Sequence, residues 1–110
     1  MRQGEIWQAE PDPAKGKEQK GLRSVIVISG NAMNANSGLC IVCPLSSKIK
    51  HFPGCVVLKK DTKNGLKHDS EILSFQVSVL SAERLHKRLG TTDPQTLQNV
   101  ISGLNEVLTY

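Results

Sequence analysis

Aromatic side chains are scarce in this chain: one Trp, one Tyr and two Phe in 110 residues. So few rings argue against a platform of stacked aromatics, the device that holds successive bases in common single-strand RNA binders. Long apolar runs are missing as well. None approaches the roughly 18 residues that a membrane-crossing helix needs, and the N-terminus carries neither an apolar signal segment nor a small-residue cleavage site. The cytoplasm is therefore the expected location. Cysteine is sparse and odd in number. With Cys40, Cys43 and Cys55 at least one thiol stays unpaired, which fits a reducing compartment better than a disulfide framework.

Missing motifs narrow the chemistry further. No Gly-x-Ser-x-Gly elbow surrounds Ser46 or Ser47, and no phosphate-cradling P-loop or dinucleotide glycine pattern is present. Cys40 and Cys43 form a C-x-x-C string, but it falls in an expected strand, where residues three apart point to opposite faces. No second pair follows, and Cys55 alone does not complete four ligands. The expectation is buried, inert cysteines, with no metal and no cofactor.

What remains is a chain of ordinary globular composition, long enough for one domain over residues 1–110 with one modest core. Its formal charge is +4, a mild basic bias. Its distribution says more: between Leu45 and Lys67, the six lysines Lys48, Lys50, Lys59, Lys60, Lys63 and Lys67 are opposed only by Asp61. Such a face either keeps the protein soluble or tracks phosphates or an acidic partner.

Gly4 to Glu10 reads as a first strand, ended by Pro11 and Pro13 because proline cannot donate to a ladder. Ala14 to Leu22 is a loop. Arg23 to Ser29 holds the β-branched run Val25-Ile26-Val27-Ile28, as expected of a strand covered on both faces. Gly30 to Gly38, rich in Asn and Gly, reads as a loop. Leu39 to Cys43 is a second strand, closed by Pro44. Gly54 to Lys59 is a short strand, followed by a turn around Asp61 to Gly65, and Ser70 to Val79 is a further strand region. Ser81 to Arg88 reads as a helical turn or two, with Ser81 as N-cap and Gly90 as its end. Asp93-Pro94 opens a C-terminal helix, whose Leu97, Val100, Ile101, Leu104 and Leu108 share one stripe. Several short strands and one terminal helix, without βαβ alternation, argue for a mainly β fold: a small, mostly antiparallel barrel with the helix packed on it.

The densest chemistry lies in Asp12 to Ser29. A polar, turn-rich segment brings a carboxylate (Glu18), an amide (Gln19) and a guanidinium (Arg23) to the start of a strand, a grouping suited to a phosphodiester. Ser46 and Ser47 follow a buried strand; a hydroxyl there binds a phosphate oxygen or caps a turn. Among the scattered His51, His68 and His86, His51 stands out because it follows Ser46, Ser47, Lys48 and Lys50.

These pieces occur in a familiar order. Gly4-Glu5-Ile6-Trp7, then Asp12-Pro13, Gly16, Glu18-Gln19, Gly21 and Arg23 before a β-branched strand, then Pro44-Leu45-Ser46-Ser47, then Gln76 resemble the MazF/PemK family of toxins from type II toxin–antitoxin pairs. The resemblance covers nearly the whole chain. It implies an SH3-like barrel that forms a homodimer, and a sequence-specific endoribonuclease (an mRNA interferase) that cuts single-stranded RNA without a metal. A cognate acidic antitoxin is the implied partner, its tail lying across the RNA site. Three departures stand out: Ser24 replaces the family's proline, Ser46 its threonine, and Phe75 and Ser78 replace the acidic and arginine residues flanking the glutamine.

The chemistry implied is attack of a ribose 2′-hydroxyl on the adjacent phosphate. Arg23 is suited to holding charge on the phosphate oxygens, being too basic to shuttle protons near neutral pH. Ser46 donates to the same phosphate. Glu18 acts as the base or orients Arg23, with His51 in reserve, because Leu73 and Phe75 cannot supply an acid or a base. Lys17, Lys20, Lys48 and Lys50 track flanking phosphates, and Gln19, Ser47 and Gln76 complete the RNA-binding set. Two other readings stay open: a gyrase-poison-like protein of the same fold, which the ending Val107-Leu108-Thr109-Tyr110 disfavours, and a catalytically weakened regulatory toxin.

Overall fold

The run Val25–Ile28 organises the molecule, because both of its faces are covered. In the computed structural model, which describes residues 1–10 and 21–109, it forms the greater part of β2 (Arg23–Val27) and the turn after it. The elements around it are β1 (Glu5–Ala9), α1 (Asn31–Ser37), β3 (Leu39–Ser46), β4 (Val56–Leu58), β5 (Ser70–Ile72), β6 (Ser78–Ser81), β7 (Leu85–Thr91) and α2 (Pro94–Thr109). All of the strand pairings are antiparallel, in the order β4-β5-β3-β2-β1-β7, with β6 pairing β3 beside β5.

Alternation along the central strands divides the core in two. Ile6, Ile26, Cys43, Leu58, Ile72 and Val100 form one cluster, on the side that α2 covers. Ala9, Val25, Val27, Cys40, Val42 and Leu85 form the other. Leu80 of β6 and Leu85 of β7 both pack in this second cluster, although their strands sit at opposite ends of the β6-β3-β2-β1-β7 path. The sheet therefore curls on itself, and the second cluster fills the small barrel. Cys40 and Cys43 fall in different clusters, as strand geometry requires. Burial pushes both thiols up, that of Cys43 to about 12 with the nearby Cys55 adding to the effect.

Four boundaries differ from the sequence reading. The stretch 30–38 contains a short helix, not only a loop. Ser29 and Asn34 explain it: their side chains bond each other at 2.5 Å, and Asn34 Nδ2 donates to the Ser29 carbonyl at 3.0 Å. Gly38 ends the helix at φ 70°, a left-handed conformation that glycine adopts without a Cβ clash. Pro44 does not close β3, which runs on to Ser46. A residue's N–H and C=O lie on the same side of an extended strand, and the Pro44 carbonyl accepts from Leu73 N at 2.9 Å. The missing N–H thus points into the gap between β6 and β5, where no ladder bond is forfeited.

The region 70–79 is broken by a 3₁₀ turn at Ser74–Gln76, where β3 exchanges β5 for β6 as its neighbour. Residues 82–84 make only a single 3₁₀ turn, with no side-chain cap from Ser81, and Leu85 onward is strand. Gly90 lies inside that strand, beneath the Lys63–Asn64 backbone, where a Cβ would collide with the Lys63 carbonyl. The C-terminal helix begins as expected: Asp93 Oδ1 accepts from Thr96 N at 2.7 Å. Its buried face is narrower than the apolar stripe. Val100 and Gly103 are buried, Leu97 and Leu104 pack on the core, and Ile101 and Leu108 are exposed.

Candidate functional site

Arg23 opens β2 and Ser46 closes β3, and antiparallel pairing brings the start of one strand to the end of its neighbour. The register is Val25↔Pro44, Ile26↔Cys43 and Val27↔Val42. Continued by two residues, it sets Arg23 across from Ser46. Side chains directly opposite on one face start about 4.5–5.5 Å apart at Cβ. Both side chains share the face of Val25 and Val42, so they stand at one mouth of the barrel. Arg23 is exposed and its guanidinium has no hydrogen-bond or ionic partner among the described residues. A guanidinium without a carboxylate partner retains its donors for an anion.

The segment after Ser46 is built to turn outward. Ser46 Oγ accepts from Lys48 N at 3.2 Å and donates to the Lys48 carbonyl at a long 3.5 Å, so this hydroxyl caps the turn. Ser47, Lys48 and Lys50 are exposed at the rim. A buried carboxylate anchors the segment from below. Glu71 of β5 pairs with Ser46, is wholly inaccessible, and accepts from Lys50 N and Phe52 N at 2.8 Å each. The anchored loop holds His51, exposed and at φ 55°, a left-handed conformation that non-glycine residues adopt rarely.

Gln76 is exposed in the 3₁₀ turn on the far side of β3 from β2. It therefore flanks the Arg23–Ser46 pair across one strand without belonging to the same ladder step. Its neighbour Phe75 meets Phe52 edge-on at 5.0 Å between centroids. With Pro53, Glu106 and Val107 these rings line a shallow apolar hollow, and no acid or base is set there beyond Glu106. Lys17, Glu18, Gln19 and Lys20 lie outside the described residues. His86 is tied to Glu10 at 3.1 Å, at the same end of the sheet as Arg23, since Ala9 pairs with both Arg23 and Leu85. Among the described residues no three His, Cys, Asp or Glu side chains gather as a metal cluster would, and no helix is long and apolar enough to cross a membrane.

Two features escaped sequence reasoning. Glu71 lies in a three-residue strand, Ser70–Ile72, all of it buried. A lone acidic residue within an otherwise apolar Glu-Ile-Leu run was the available signal, but its partners sit 19 and 21 residues away in the chain. The second is a hollow beside Ser24 and Ser47 on the other face of the same rim. Its lining comes from five separate segments, so no local pattern marks it.

Comparison with known proteins agrees with this fold. The family model of the PemK-like, MazF-like toxin of type II toxin–antitoxin systems matches residues 2–108. The endoribonuclease MazF9 of Mycobacterium tuberculosis is 32% identical over 109 residues, covering 94% of this chain and 92% of that protein. The endoribonuclease toxin MazF of Escherichia coli K12 is 33% identical over 104 residues, covering 94% and 88%. Among solved structures, MazF of Deinococcus radiodurans superposes with a TM-score of 0.81 at 25% identity over 100% of this chain and 97% of that one. A mycobacterial endoribonuclease in complex with its cognate antitoxin shares the fold, with a TM-score of 0.80 at 18% identity over 98% and 94%.

Proposed function

The chain belongs to the PemK-like, MazF-like toxin family of type II toxin–antitoxin systems, and from that premise we propose that it is a sequence-specific endoribonuclease, one toxin domain over residues 1–110, held in check by a cognate acidic antitoxin. Its relatives are named as endoribonucleases over nearly the full length of both chains, and a protein of the same fold is bound to its antitoxin. It acts in the cytoplasm as a homodimer. The observation that supports the site assignment is the β2–β3 register, which runs to Val25↔Pro44 and, extended by two residues, sets Arg23 across from Ser46.

In this reading the scissile phosphate lies over that pair. Arg23 presents planar donors to two phosphate oxygens and stabilises the charge that grows there as the 2′-hydroxyl attacks. Ser46, its oxygen accepting from Lys48 N, turns its proton from the long 3.5 Å contact with the Lys48 carbonyl to a hydrogen bond with the same phosphate. The 2′-oxygen bonds to phosphorus, its proton passes to a base, and the leaving 5′-oxygen gains a proton as its bond to phosphorus breaks. Glu18 is assigned as that base or as the group that orients Arg23, with His51, exposed on the anchored loop, in reserve. Lys17, Lys20, Lys48 and Lys50 hold flanking phosphates, each steepening the salt dependence of binding. Gln19, Ser47 and Gln76 contact the strand. Phe75 stands against Phe52 and brings no ionisable group, so the reaction rests on Arg23 and Ser46.

The test is to incubate the pure protein with mixed single-stranded RNA in the presence of EDTA, beside Arg23→Ala and Ser46→Ala. Cutting by the parent and none by Arg23→Ala, with equal circular dichroism spectra, supports the assignment. Retained cutting by Arg23→Ala refutes it. Ser46→Ala is expected to slow cleavage more than Ser47→Ala does, and equal rates count against Ser46.

A further inference from the structure

Strand alternation gives the barrel mouth a second side. Arg23 and Ser46 share one face, so Ser24 and Leu45, the next residues inward on β2 and β3, share the other. There they border a hollow of about 230 Å³. Its walls include Leu45 and Leu89, and its polar rim includes Gln8, Ser24, Ser47 and His68. None of these four side chains is hydrogen-bonded to another described residue. The opposite wall is firm. Buried Asn64 accepts from Asp61 N and Leu66 N and donates to the Lys59 carbonyl, and Thr91 N donates to the Lys63 carbonyl at 2.9 Å. The turn from Asp61 to Leu66, just before His68, is thereby fixed against β7.

We infer that this hollow receives one unstacked nucleobase adjoining the linkage held by Arg23 and Ser46, with Gln8 and Ser47 reading its edge. The inference rests on the nuclease reading above and supplies the sequence choice that reading leaves open. Size favours a single base: the volume lies below the roughly 300–1,000 Å³ typical of pockets for drug-sized ligands. Lys67 also lines the hollow and suits the phosphate of the inserted nucleotide, while the rest of the lining suits its base. Leucine walls suit the flat faces of a ring, and an amide offers a donor and an acceptor side by side, which matches a base edge. With aromatics so scarce, apolar contact and hydrogen bonds must replace ring stacking. Position is favourable too. An RNA backbone crossing the rim over Arg23 and Ser46 needs only to swing a neighbouring base around the strand ends, past Ser47, to enter.

The experiment digests a single-stranded RNA pool of random sequence and reads the bases on each side of every cut, for the parent, Gln8→Leu and Ser47→Ala. Ser47 is exposed, so its variant tests the idea even if Gln8→Leu does not fold. The expected result is that preference at one position beside the cut falls roughly tenfold in either folded variant, while preferences elsewhere persist. Cutting by both variants with unchanged preference at every position overturns the hollow and leaves the nuclease standing. A parent that cuts nothing overturns the nuclease reading and this inference with it. A shorter probe separates binding from chemistry: an oligonucleotide carrying an abasic site at the affected position should bind the parent more weakly than the intact strand, and Gln8→Leu should bind the two alike. Equal binding of both strands by the parent overturns the inference.

Discussion

Replacing Glu71 by Gln is the sharpest probe of how the rim is held. The carboxylate is wholly buried and each of its oxygens takes one backbone N–H, from Lys50 and from Phe52, both at 2.8 Å. Glutamine keeps one oxygen and turns an NH₂ toward the other donor. One charge-assisted bond becomes a neutral one, and one backbone N–H faces another donor. An unsatisfied donor costs about 1–3 kcal/mol, and charge-assisted bonds are roughly twice as strong as neutral ones. A loss of about 2 kcal/mol follows, because the exposed loop lets water relieve part of the deficit. With a urea slope of about 1–3 kcal/mol per molar for small proteins, the unfolding midpoint should drop by about 1 M, read by circular dichroism. Glu71 also pairs with Ser46, so loosening Ser47–Phe52 shifts the turn that Ser46 caps. Cleavage in the folded variant should slow by at least about tenfold, since misplacement by about 1 Å can cost a hundredfold. An unchanged urea midpoint would refute the anchoring argument. A lowered midpoint with undiminished cutting would show that the loop is structural and lies outside the site.

Other perturbations test the rest of the molecule. Gly103→Ala drives a Cβ into the Gly54 carbonyl, a backbone group with little room to yield; α2 should be pushed off the sheet at a cost of about 1–3 kcal/mol, and a thermal midpoint equal to the parent's would contradict that packing. Burial raises the Glu5 carboxyl, but hydrogen bonds from Arg2 N and the Trp7 indole, with the N-terminal ammonium and Arg88, outweigh it and hold the group below its ordinary value. Its contribution is therefore present above the unfolded carboxyl's pKa of about 4.3 and is lost as the pH falls through the lower folded value. Glu5→Gln should flatten the loss of stability between pH 6 and pH 3, and parallel curves for variant and parent would argue against it. Cys43, with its thiol pushed up to about 12, and buried Cys40 should resist iodoacetamide at pH 8 in the native state. Mass spectrometry should find Cys55 modified first and all three only after unfolding; early labelling of Cys43 would mean that the helix-side core opens readily.

The apolar rhythm of the sequence by itself determines much of this protein. Val25–Ile28 has no polar position, so it had to be covered on both faces, and it lies between the barrel core and α2. Asp93-Pro94 carries a cap and a proline at adjacent positions, a local signal that needs no tertiary help, and α2 starts there. Arg23 and Ser46 were legible as a cation and a hydroxyl at strand ends, but whether they meet depends on register. Register belongs to two segments at once, and only the fold determines it.

The errors have the same origin. The Asn-rich 31–37 segment is helical because Ser29 meets Asn34, and Pro44 stays in its strand because β3 changes neighbours there. Residues 85–88, read as part of a helical turn or two over Ser81 to Arg88, instead belong to β7, which pairs with β1, a contact across most of the chain that outweighs local propensity. Composition and short-range pattern thus determined the fold class and the chemical groups at hand. The tertiary structure alone determined which groups converge, because the Glu71 anchor and the hollow beside Ser24 are assembled from segments that adjoin only after the sheet has closed.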